Sequence, residues 1–197
     1  MMNLRNAAFA ATLAALGGAV LLTACGGAQH SATSSAQTPG ISGSLFGGQS
    51  PVTGATVYLY AVADDGSSVS NLTHTTTNAS GNFNFAFQCN ASGTVKPGTL
   101  MYVEAIGGNP GAASGTNNSA LRMIAALGRC DSLPTSVNIN EVTTAAALYA
   151  LKDYMSFDTS RVTIYGRQAS GNLTNLTAGF NNALQLVDLP SGTVKAA

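Results

Sequence analysis

Residues 55–62 read ATVYLYAV, with Val57, Leu59 and Ala61 alternating against Thr56, Tyr58 and Tyr60. A period of two carried by β-branched and aromatic side chains predicts a half-buried strand. Upstream lie ISGSLF, from Ile41, and the turn-rich GGQSPVTG. Downstream, Asp64, Asp65 and Gly66 mark a connection, and SNLTHTTT suits another strand. NASG then predicts a turn, and GNFNFAFQC sets Phe83, Phe85 and Phe87 on one face against Asn82, Asn84 and Ala86. After the breaker TVKPG, LMYVEAIGG supplies a further strand. Short strands at this spacing, separated by Gly, Pro and Asn turns, predict an antiparallel β-sandwich over residues 41–108.

Beyond Gly108 the composition shifts. NPGAASGTNNS reads as a loop, and ALRMIAALG places Leu121, Ile124 and Leu127 at helical spacing, with Asn118 or Ser119 as N-cap and Gly128 past the last turn. SVNINEV suits a short strand, and TTAAALYALKDYM a second helix capped by Thr143 or Thr144. A third helix is predicted over Leu173 to Val187, where Leu173, Leu176, Phe180, Leu184 and Val187 recur on one face. The fold class expected is therefore α+β, a sandwich followed by a smaller, mostly helical segment over 109–197.

The chain opens with MMNLRN, whose one charge is Arg5, and continues uncharged from residue 7 to residue 22. This layout predicts a signal peptide over 1–24; the run is too short for a membrane span of about 20 apolar residues and is broken by Gly17 and Gly18. Leu22, Thr23, Ala24 and Cys25 resemble the lipobox of bacterial lipoproteins. The resemblance implies a diacylglyceryl group on the Cys25 thiol, cleavage just before it, and acylation, as by palmitate, of the new amino terminus. The other reading is an ordinary secretory cleavage site, with Cys25 pairing elsewhere. One fatty chain binds membranes only marginally, so the three implied chains exceed what stable anchoring needs. Gly26 stands where an aspartate would, in many Gram-negative lipoproteins, signal inner-membrane retention, so the resemblance implies the outer membrane in a host that has one. Residues 25–40, small, polar and uncharged with His30 among them, then read as a lipidated flexible tether.

With Cys25 lipidated, Cys89 and Cys130 remain as an even pair in an oxidising compartment, and a disulfide fastening the later segment to the sandwich is expected; two buried free thiols are the alternative. Charged residues are 8% of the chain, against roughly 25% in an average soluble protein. Removing residues 1–24 takes away Arg5 and leaves seven basic and eight acidic residues, so no basic field exists to bind nucleic acid.

The stretch from Gly43 to Tyr60, GSLFGGQSPVTGATVYLY, resembles the opening strands of the carboxypeptidase regulatory-like and transthyretin-like β-sandwich families. Its pattern falls on Gly43, Gly47, Gly48, Pro51, Val52, Gly54, Ala55, Val57 and Leu59, and NASGNFNF from Asn78 to Phe85 is similar to the family's second signature. The resemblance implies a transthyretin-like sandwich of the carbohydrate-binding-like fold and, by analogy alone, glycan binding. An isopeptide crosslink of the collagen-adhesin type is not expected: ISGSLF holds no lysine, and Lys96 stands beside Pro97.

Chemistry-bearing residues are few. His74 sits among threonines with no carboxylate near it in sequence, and GxSxG, HExxH and GxxxxGK[ST] are all absent. Asp64 and Asp65 lack the DxDxDG calcium spacing, and Glu141 suits a helix start rather than catalysis. No catalytic residue, metal or cofactor is expected. Tyr58, Tyr60 and Tyr102 are the candidate glycan contacts, in a chain without the tryptophan that usually stacks on a sugar; the alternative is that they pack beneath the helical part. The expected protein is a lipid-anchored component of the cell envelope with a non-catalytic structural or interaction role, the alternative being a carbohydrate-binding surface module. Its expected partners are the membrane, through the anchor, and a glycan or an envelope protein.

Overall fold

The computed structural model describes residues 40–90, 95–166 and 172–196. The expected signal peptide, the lipobox with Cys25, and the tether as far as residue 39 lie outside the described residues.

Two four-stranded sheets face each other. In the first, β1 (Gly40–Gly47) is central: β5 (Asn82–Ala86) pairs with it antiparallel, β8 (Ser136–Ile139) pairs parallel, and the two-residue β2 (Ser50–Pro51) folds back on its end. In the second, β3 (Thr56–Val62), β4 (Val69–Thr76), β6 (Leu100–Ile106) and β7 (Arg122–Arg129) run antiparallel in the order β4-β3-β6-β7. Period-two alternation sends Val57, Leu59, Val103, Ala125 and Leu127 inward, where they meet Leu45, Phe83, Phe85 and Val137 of the first sheet in one apolar core.

The outer face of the second sheet is covered too. Helices α1 (Glu141–Leu151) and α2 (Leu173–Leu186) pack on it, beside a small hairpin of β9 (Met155–Phe157) and β10 (Val162–Ile164). Tyr60, Tyr102, Ile124 and Ala126 meet Leu151, Phe180, Met155 and Ile164 there in a second core. A further hairpin, β11 (Val187–Asp188) with β12 (Thr193–Val194), follows α2. The fold is thus a mostly antiparallel β-sandwich with short helices on one face, an α+β arrangement.

The helix expected over ALRMIAALG is instead strand β7, and the stretch 109–197, expected to be mostly helical, supplies β7 and β8 to the two sheets. The physical reason is double burial. Met123, Ala125 and Leu127 face one core while Ile124 and Ala126 face the other, so the strand reads as an unbroken apolar run. Helix α1 stands where expected, but Asn140 caps it: its side chain accepts from Thr143 N at 3.0 Å, and Thr143 Oγ1 accepts from Asn140 N at 2.9 Å. Thr144 covers the outer edge of β7, accepting from Ile124 N at 3.1 Å and donating to Ile124 O at 3.3 Å. Glu141, at the helix start, accepts from Gly48 N at 2.6 Å and so ties α1 to the β1–β2 turn.

Gly43 lies where β1 passes between the Phe83 ring and the Val137 carbonyl, leaving no space for a β-carbon. Gly43→Ala therefore crowds both flanking strands, and a loss of about 1–3 kcal/mol is expected in urea unfolding. A change within 0.5 kcal/mol would show that the sheet relaxes freely around this point.

Candidate functional site

The polar chemistry concentrates where hairpin β9–β10 sits on the second sheet. Between its strands, Asp158 Oδ1 accepts from Ser160 N and Ser160 Oγ, both at 2.6 Å, and from Arg161 N at 2.8 Å. This is a side-chain-nucleated turn, and those three donors hold the Asp158 carboxyl down at about 2. Val162 opens β10, and both its backbone groups are satisfied by buried side chains of β6. Its N–H donates to Glu104 Oε1 at 2.9 Å, and its carbonyl accepts from Tyr102 Oη at 3.0 Å.

Glu104 has no exposed surface. Arg122, on the neighbouring β7, donates from Nη1 to the same Glu104 Oε1 at 3.0 Å and from Nη2 to the Thr159 carbonyl at 2.5 Å. Glu104 Oε2 is buried and has no hydrogen-bond partner among the described residues. Burial pushes the Glu104 carboxyl above its ordinary range, outweighing the Val162 N–H and the Arg122 charge that pull it down. Burial, and then the Glu104 charge, push Tyr60 up to about 12. Tyr102, Glu104 and Arg122 together form a clasp that fixes the hairpin to the sheet.

The expected glycan contacts are redistributed by this packing. Tyr58, Tyr60 and Tyr102 form a stacked row, with centroids 6.0 Å apart for Tyr58–Tyr60 and 4.9 Å for Tyr60–Tyr102. Yet Tyr60 is 3% exposed and Tyr102 is fully buried, so neither can lie against a sugar; they support the hairpin and helices instead. Tyr58 remains half-buried, against the exposed ring of His74 on β4 at 5.5 Å. Asp64 is taken by Lys96 Nζ at 2.7 Å and Thr99 Oγ1 at 3.2 Å, and Asp65 by Ser67 N at 2.9 Å and Ser67 Oγ at 2.6 Å. Asp65 therefore organises its own turn, while Asp64 ties that turn to the segment leading into β6.

Cys89 and Cys130 form a disulfide with Cα atoms 5.7 Å apart. Cys89 follows β5 of the first sheet and Cys130 follows β7 of the second, so the bridge joins the sheets rather than fastening a helix to a strand. Glu104 and Arg122 were not singled out from the sequence. The available signal was one charge set in each of two otherwise apolar runs, LMYVEAI and RMIAAL, in a chain with few charges.

No protein-family model and no curated protein matches the chain. Among solved structures, it is similar to a 9R-lipoxygenase from Cyanothece PCC8801, at 15% identity and a TM-score of 0.33, over 53% of this chain and 16% of that one. It is also similar to the dioxygenase domain of a dioxygenase carbohydrate-binding protein fusion from Streptomyces sp. SirexAA-E, at 19% identity and a TM-score of 0.27, over 53% of this chain and 79% of that one. The expectation that the chain is not an enzyme is not upheld: the two matches are a lipoxygenase and a dioxygenase domain. Likeness at this level concerns the fold alone and assigns no activity to this chain.

Proposed function

We propose that the chain is a lipid-anchored protein of the cell envelope, held at the outer membrane through Cys25, whose sandwich and helices form a structural or interaction module. The observation that carries this reading is the Cys89–Cys130 bond. The chain has three cysteines, so this bond leaves Cys25, in the sequence LTAC behind an uncharged apolar run, without an intramolecular partner. A disulfide in turn suits a protein folded outside the reducing cytosol. On this reading residues 1–24 are removed, residues 25–39 tether the body, and the transthyretin-like likeness of Gly43 to Tyr60 describes the sandwich's opening strands. The partners are the membrane, through the acyl chains, and an envelope protein or glycan met there.

Cells fed labelled palmitate are expected to label the wild-type protein, and Cys25→Ser is expected to lose the label and leave the membrane fraction. Undiminished labelling of Cys25→Ser would refute the anchor.

A further inference from the structure

On hairpin β9–β10, Val162 and Ile164 point into the second core, 3% and 0% exposed. Period two then gives Arg161, Thr163 and Tyr165 to the opposite face, and Ser156 joins them because it pairs with Thr163 in the hairpin register. Ser67 and Ser68, from the β3–β4 turn, form the facing wall of a groove of about 370 Å³. The walls are held together: Gly166 N donates to Gly66 O at 2.6 Å, and the clasp of Tyr102, Glu104 and Arg122 fixes the hairpin from below. A groove carried on braced strands is preorganised in the way a binding site needs.

Its lining is one guanidinium and five hydroxyls beside the single apolar side chain of Val69, with no carboxylate. Lys96, Arg122 and Arg129 each meet a carboxylate, whereas Arg161 forms no ion pair among the described residues. The nearby Asp158 is engaged by its own turn, and Asp65, bound by Ser67, stays outside the lining. Ser67 gives its proton to Asp65, which leaves its oxygen to accept. A guanidinium fork matches a carboxylate, and hydroxyls that both donate and accept match the hydroxyls of a sugar ring. A lining so polar suits neither an acyl chain nor an apolar ligand, while its volume lies in the range of small-ligand sites.

We propose that this groove binds an acidic saccharide, with Arg161 on the sugar carboxylate and Ser67, Ser68, Ser156, Thr163 and Tyr165 on its hydroxyls. The site does not depend on the lipid anchor, and it uses none of Tyr58, Tyr60 and Tyr102.

The test is titration calorimetry on the full-length protein in detergent, with a galacturonic acid trimer as probe and a neutral galactose trimer as control. The acidic trimer is expected to bind, more weakly at high salt, and the neutral one to bind at least about tenfold more weakly, as befits loss of a charge-assisted contact. Arg161→Gln is expected to weaken the acidic trimer by about tenfold or more while leaving the thermal midpoint nearly unchanged, because the arginine side chain is exposed and forms no ion pair among the described residues. Thr163→Val, which keeps the shape and removes a hydroxyl, is expected to weaken it several-fold. Failure of the wild type to bind the acidic trimer, equal binding of both trimers, or unchanged binding by Arg161→Gln would each overturn the proposal. Because anchoring is read from Cys25 labelling and this site from calorimetry, either can fail without the other.

Discussion

Arg122→Ala is expected to cost about 3–5 kcal/mol of folding stability, the characteristic loss when one partner of a buried ion pair is removed and the other is left behind. Glu104 has no exposed surface and the Arg122 side chain is only 25% exposed, so water replaces the guanidinium incompletely, and Glu104 Oε2 already lacks a partner among the described residues. The same substitution frees the Thr159 carbonyl from Arg122 Nη2 and loosens the loop between β9 and β10. Glu104→Gln is expected to cost less, since its carbonyl can still accept from Val162 N and Arg122, and the one charge left, on Arg122, reaches solvent.

The pH dependence separates the two variants. Burial raises the Glu104 carboxyl above its unfolded value, so the folded state holds this proton more tightly than the unfolded chain does. Its contribution to stability is fully present below the unfolded value, about 4.3, and is lost as pH rises through the raised folded value. The aspartates act in the opposite sense. Asp64, Asp65, Asp131, Asp158 and Asp188 are all lowered by hydrogen bonds, so their contributions are present above about 3.9 and are lost as pH falls through their folded values. Above pH 5 the Glu104 effect remains, and Arg122→Ala enlarges it by removing a charge that pulls the carboxyl down. Urea unfolding at pH 5 and pH 8 should therefore show a larger loss for Arg122→Ala at pH 8, and a flatter profile for Glu104→Gln than for wild type. Equal losses at both pH values, or a loss under 1 kcal/mol, would show that the clasp is solvated.

Neither the clasp nor the groove was legible in the sequence, because each is assembled across the chain. The Val162–Glu104 contact spans 58 residues and the Arg122–Thr159 contact 37, so no local window contains either pair. What local pattern could show, it showed. Strands β3 and β5 lie in the stretches whose alternation predicted them, β6 in the further strand expected after TVKPG, and α2 follows the spacing of Leu176 and Phe180. Strand β7 was misread because two layers bury it, and Leu121, Ile124 and Leu127 then imitate a helical face. Two readings were open for the tyrosines, a glycan contact or packing beneath the helical part, and Tyr60 and Tyr102 take the second. Alternation placed Tyr58 and Tyr60 away from the sandwich interior, which is correct, but the helices and hairpin that cover this face come some 80 to 125 residues later in the chain. An outward face of a sheet is an exposed face only when no third layer exists.

Replacing Cys89 and Cys130 together by alanine is expected to cost about 4 kcal/mol, the chain-entropy value for releasing a loop of this length, and the packing of Cys130 besides. The cystine closes a separation of 41 residues and contains β6 and β7, so its loss frees the unfolded chain across half of the second sheet. Cys130 is 4% exposed and packs in the core between the sheets, whereas Cys89 is only partly buried. Cys130→Ala alone therefore removes packing as well as the bond, while Cys89→Ala leaves the buried Cys130 thiol in place and reports chiefly on the crosslink. The expected order of stability is wild type, then Cys89→Ala, then the double variant, measured by urea unfolding without reductant. Reduction of the wild type should bring it close to Cys89→Ala. A reduced protein as stable as the oxidised one would mean that the two sheets are held by their apolar core alone, and that the bridge contributes nothing to the stability of the sandwich.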